Sequence, residues 1–70
     1  MTEEKLYSYL GKNIKVMCID GDVVEGFCEV VTKAIDNEPE VAEISLKTDK
    51  NSNGLIGITL PEIKAIEIIA

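Results

Sequence analysis

The sequence predicts a mainly β domain, led by one short helix and followed by five short antiparallel strands. Two observations carry this. From Ile14 onward the apolar residues recur with a period of two, and the pair Asp20-Gly21 lies between two such alternating runs. Ten isoleucines and six valines, all of them beyond residue 13, favour strands over helices there. With 70 residues to spend, a strongly bent sheet or small open barrel is the economical way to enclose a core.

The helix is expected over residues 2–10. Thr2 is placed to cap it, Glu3 and Glu4 sit at the positive end of its dipole, and Gly11 terminates it. Leu6 and Leu10, four apart, give it one narrow apolar stripe, so it must lie on the sheet to be stable. The first strand, 13–19, alternates Ile14, Val16 and Cys18 with Lys15, Met17 and Ile19. Asp20-Gly21 then turns the chain into a second strand, 23–32. Gly26 inside that strand marks a bend, a bulge or a close backbone approach.

Asp36-Asn37-Glu38-Pro39 ends the alternation, because Pro39 has no N–H for a central ladder. The third strand is expected over 41–47, with Ala42, Ile44 and Leu46 on one face. Thr48 to Gly54 reads as a polar loop. The fourth strand is expected over 55–60, Pro61-Glu62 makes a tight corner, and the fifth strand covers 63–69. The whole of 1–70 reads as one domain, without repeat or linker.

Composition excludes several kinds of function. The chain has no His, no Trp and no Arg, and its net charge is −6. Without His there is no Ser-His-Asp or Cys-His nucleophile pair and no His-ligated zinc. Without Arg there is no bidentate phosphate clamp. An acidic surface on average repels phosphate backbones and anionic membranes. Residues 1–5 are acidic, with no apolar stretch behind them, which predicts no secretory leader and a cytoplasmic location. Residues 54–61 form the longest nearly uncharged apolar stretch, too short to cross a bilayer. Cys18 and Cys28 flank the turn, and pairing across a hairpin puts them roughly 13 Å apart along the ladder. That is too far for a disulfide, so both are expected as free thiols and small core fillers.

Leu10-Gly11-Lys12, Ile14-Lys15-Val16, Asp20-Gly21 and Gly26, at these spacings, resemble the Sm-like (LSm) family, and the likeness runs from the N-terminal helix to Ile69. With Asp36-Asn37-Glu38-Pro39-Glu40 and the segment Glu62 to Ile69 added, the chain looks like a group of small acidic bacterial and phage Sm-like proteins. The resemblance implies a five-stranded, highly bent sheet with a helix at its open end. It also implies a homo-oligomeric ring in which the fourth strand of one subunit, 55–60 here, pairs with the fifth of the next, 63–69 here.

Sm-like proteins that bind RNA grip bases with two loops. In the first, this sequence has Thr32 where the family has Asp, and Asp36 where it has Asn, with Asn37 one residue later. In the second, Leu60 and Pro61 replace the usual basic residue and glycine. The resemblance therefore implies RNA contacts only through Lys33, Asp36 and Asn37, weak or of unusual specificity. In a ring each lysine is repeated about the axis, which is the best physical case for nucleic acid.

The alternative is a scaffold that no longer binds RNA and meets a basic protein partner through Glu38 and Glu40. Asp36, Glu38 and Glu40 read as a solvated acidic loop, not a cation site, because they lack the further ligands and the glycine of a calcium-binding loop. Asp20 and Asp22 are accounted for as turn residues. Tyr7, Tyr9 and Phe27 lack interleaved basic residues and read as caps on a small core. No catalytic residue, metal or cofactor is predicted, and no enzyme.

Overall fold

The structure, a computed structural model, describes residues 2–37, 40–48 and 54–69. Its elements in chain order are helix α1 (Glu3–Tyr7) and strands β1 (Asn13–Cys18), β2 (Val23–Thr32), β3 (Glu43–Lys47), β4 (Ile56–Thr59) and β5 (Ile63–Ile68). Two 3₁₀ turns, Ala34–Asp36 and Leu60–Glu62, lie between β2 and β3 and between β4 and β5. The strands form one antiparallel sheet in the order β4-β3-β2-β1-β5. Among the described residues β4 and β5 do not pair with each other, so the sheet is open and they are its edges.

α1 is shorter than the residue pattern predicts. Thr2 caps it, its hydroxyl accepting from the Lys5 N–H at 3.3 Å. Beyond Tyr7 the chain turns by successive i→i+3 bonds: Tyr9 N–H to Leu6 O and Leu10 N–H to Tyr7 O. The Ser8 hydroxyl donates to Lys5 O at 2.6 Å, occupying a carbonyl that a longer helix would use. A 3₁₀-like turn aligns residues i and i+3, not i and i+4. Leu6 and Tyr9 therefore face the core, while Leu10 is 45% exposed. Gly11, at φ +80°, then reverses the chain, and its N–H donates to Cys28 O.

The β1–β2 connection follows from Asp20-Gly21. Gly21 N–H donates to Cys18 O at 3.0 Å and Cys18 N–H to Asp22 O at 2.8 Å, closing a three-residue loop with Gly21 at φ +96°. The Asp20 carboxylate accepts from Asp22 N–H at 3.0 Å, an Asx turn inside that loop.

β2 is shared between two neighbours. Val23 to Phe27 pair with β1, and Phe27 to Thr32 with β3. At Gly26 the β3 backbone comes so close that a Cβ there would lie 2.7 Å from Lys47 O. The β2–β3 register shifts between Cys28 and Val30, which leaves Glu29 as the extra residue of a bulge. The bulge changes which residues face inward, so Cys28 and Val31 pack on the core while Val30 is exposed. A second shift, between Met17 and Cys18, leaves Lys64 as the extra residue of β5.

The core sits on one face of the sheet, under α1. Leu6, Ile14, Val16, Cys28, Ile44 and Leu46 are fully buried, with Ala42, Ile58 and Ile63 beside them. Burying each large aliphatic side chain is worth about 1.5–3 kcal/mol. Among the described residues no charged side chain is buried, and the Thr48 hydroxyl oxygen is buried without a hydrogen-bond partner. No described helix is long and apolar enough to cross a membrane.

Candidate functional site

Lys33, Asp36 and Asn37 come together on the connection that leaves β2. Lys33 precedes the turn Ala34–Asp36 and is exposed, as is Asp36, while Asn37 is half-buried. The turn is closed by Asp36 N–H to Lys33 O at 3.0 Å and Asn37 N–H to Ala34 O at 3.1 Å. The Asn37 side-chain amide donates to Val41 O at 2.9 Å. That bond spans the acidic segment and ties the turn to the entry of β3, so Asn37 has a structural duty in addition to any ligand. Glu40 is exposed. Glu38 lies outside the described residues.

α1 supports this connection from across the chain. The Glu3 carboxylate accepts from Ala34 N–H at 2.8 Å, so a first-turn residue of the helix holds the first N–H of the turn. Sequence patterning does not reveal this bond, because its partners are 31 residues apart. Ile35, between Lys33 and Asp36, is 77% exposed and carries no periodicity that would single it out.

A second cluster, Cys18 with Asp20, Asp22 and Glu62, gathers at the β1–β2 turn, while Cys28 lies at the far end of the hairpin beside Lys12. Cys18 and Cys28 are free thiols, as the hairpin geometry predicts; Cys28 is buried and Cys18 half-buried. Burial pushes the Cys28 thiol up. Burial and then the carboxylates of Asp20, Glu62 and Asp22 push the Cys18 thiol up, which keeps it protonated near neutrality. Glu62 is brought to this end by the turn Leu60–Glu62. Its carboxylate accepts from the Thr59 hydroxyl at 2.6 Å and the Thr59 N–H at 3.1 Å. Those two bonds hold Glu62 below the usual carboxylate range.

Among the described residues no three His, Cys, Asp or Glu side chains converge with the geometry of a metal site. Among its described residues the connection after β2 carries one exposed cation, Lys33, two exposed carboxylates, Asp36 and Glu40, and the protruding Ile35 on a turn held at both ends. Comparison with protein-family models, curated proteins and solved structures finds no match to this chain.

Proposed function

We propose that this chain is a non-catalytic Sm-like module, cytoplasmic, that assembles into a homo-oligomeric ring by pairing β4 of one subunit with β5 of the next. The assembled ring binds RNA weakly through Lys33, Asp36 and Asn37. The observation that carries the reading is that β4 and β5 are the two free edges of one antiparallel sheet. β4 is Ile-Gly-Ile-Thr, without the lysine or proline that usually protects an exposed edge.

The strong bend that belongs to this reading has its own support. β4 and β5 are joined by three residues only, yet they stand at opposite edges. In a flat sheet those edges would be roughly 19 Å apart, at about 4.8 Å per strand step. A three-residue 3₁₀ turn advances only about 6 Å. The full burial of Ile44 and Leu46 under a five-residue helix points the same way, since the helix alone is small cover for that face.

A second reading, a scaffold without RNA that meets a basic protein through Glu38 and Glu40, is favoured by the Asn37 amide. Its bond to Val41 O occupies a group that the first reading assigns to RNA.

Native mass spectrometry at low ionic strength, with and without short oligo(U) and oligo(A), tests both. A ring mass that gains one RNA per assembly supports the first reading. A ring that stays bare supports the scaffold. A monomer overturns the ring, and with it the main reason to expect RNA.

A further inference from the structure

Asp20 is the one aspartate of the chain that a glycine follows. In such a pair the backbone nitrogen most readily attacks the side chain before it, because glycine has no Cβ to shield its N–H. Asp22 is followed by the β-branched Val23, and Asp36 by Asn37. The reaction needs only solvent. Gly21 N bonds to Asp20 Cγ and closes a five-membered ring, while one carboxyl oxygen leaves as water with the acid's proton and the amide's. A second water then opens the ring. Attack at Cγ restores aspartate. Attack at the main-chain carbonyl of residue 20 leaves an isoaspartate, in which the backbone runs through Cβ and Cγ.

In the folded hairpin both reacting groups are already engaged. Gly21 N–H donates to Cys18 O at 3.0 Å, and the Asp20 carboxylate accepts from Asp22 N–H at 3.0 Å. The loop that carries them is pinned at each side. Cys18 N–H donates to Asp22 O at 2.8 Å, and Ile19 N–H donates to Glu62 O at 2.9 Å. Asp20 and Gly21 are themselves exposed, so water reaches them freely. What restrains the reaction is hydrogen bonding and not burial.

The product would not fit the loop. Isoaspartate adds a backbone atom inside the turn that the Gly21–Cys18 bond closes, with Gly21 at φ +96°. Once formed it would hold the loop open and release Ile19 from Glu62.

We propose that Asp20 is a latent isoaspartate site, held unreactive by the two hydrogen bonds of the hairpin loop and modified when that loop opens. The site is independent of ring assembly and of RNA.

The test compares the native full chain with the same chain in urea, incubated in one mildly acidic buffer and then digested. The Asp20 peptide is scored for isoaspartate by chromatography and electron-transfer fragmentation. Isoaspartate should form at Asp20 at least about tenfold more slowly in the native chain than in urea. Across a urea series its rate should rise together with hydrogen exchange at the Gly21 amide. Asp20→Asn keeps an acceptor oxygen for Asp22 N–H and gives a second readout at neutral pH, the loss of its amide. In urea that variant should deamidate at residue 20 as fast as at Asn53, which also precedes a glycine. Natively it should react at residue 20 at least about tenfold more slowly than in urea. Protein carrying isoaspartate at residue 20 should exchange its Ile19 amide faster than the parent, with the Cys28 amide still protected. Equal native and unfolded rates at residue 20 overturn the proposal. So does isoaspartate that accumulates while the Gly21 amide stays protected, or none at Asp20 in urea. An unchanged Ile19 amide in the modified chain overturns the opening of the loop by its product.

Discussion

Gly26 is where a single atom matters most. An added Cβ would meet the Lys47 carbonyl oxygen at 2.7 Å, and a backbone atom of a residue paired with Phe27 in the β2–β3 ladder yields less readily than the end of a side chain. Gly26→Ala should destabilise the chain by about 1–3 kcal/mol. At about 4–8 °C per kcal/mol for a domain of this size, calorimetry would register it as a clear fall in Tm. The glycine was legible in the sequence as a close approach or bulge; that the crowding comes from β3, 21 positions on at Lys47, was not.

Two titrating groups act on stability in opposite directions. Glu62 is stabilised as the anion by Thr59, so its contribution is present above the ordinary carboxylate range and disappears as pH falls. The Tm difference between the parent and Glu62→Gln should therefore be largest at neutral pH and shrink towards zero in acid. Cys28 is the reverse case. Burial raises its thiol above the ordinary value, so the folded chain holds its proton longer than the unfolded chain does. Stability is full below the ordinary thiol range and declines as pH rises through and beyond it. Cys28→Ala should flatten that alkaline decline in a pH series of urea unfolding curves, although the cavity lowers stability at every pH.

Among the elements, α1 shows how tertiary context overrides a local pattern. Its cap at Thr2 and its acidic first turn were readable, because capping chemistry is local. Its length and its inward face were not. The i→i+3 bonds from Tyr9 and Leu10 turn Tyr9 inward and Leu10 outward, opposite to the stripe that spacing of four suggests. The Glu3–Ala34 bond then joins α1 to the candidate site. Glu3→Ala should cost about 0.5–1.5 kcal/mol. Hydrogen exchange at the Ala34 amide should speed up, while the Cys28 amide, bonded to Lys12 O in the ladder, keeps its protection. Equal acceleration at both amides would mean that the bond supports the whole fold and not this connection.

The hairpin was the most readable element, since Asp20-Gly21 carries its own turn geometry, and Ala42, Ile44 and Leu46 were readable as one face of a strand. The bulges at Glu29 and Lys64 were not. A bulge is imposed by the partner strand, and neither residue type announces it.

For the molecule as a whole the consequential fact is the pair of free edges. Gly57 lies in the middle of β4 opposite Ser45, and a lysine there would place a charge on the edge that the ring reading pairs with β5. The nearest obstacle is the flexible end of the Glu43 side chain, which can move aside. Gly57→Lys should convert the ring mass to that of a monomer in native mass spectrometry, with the circular dichroism of the sheet retained. An unchanged ring mass would rule out β4 as the assembly edge.

The local order of this chain is written in its sequence: the capped helix start, the Asp20-Gly21 hairpin, the alternation of the core strands and the corner at Pro61. Each depends on backbone preferences or on side-chain spacing within a few residues. The tertiary structure alone decided that β5 lies beside β1 and not beside β4, that Glu3 holds Ala34, and that Asp20, Asp22 and Glu62 gather around Cys18. These are juxtapositions of distant residues. A period of two says which face of a strand is buried, but it is the same for every neighbour the strand could take, and only closing the core on all sides at once selects among them.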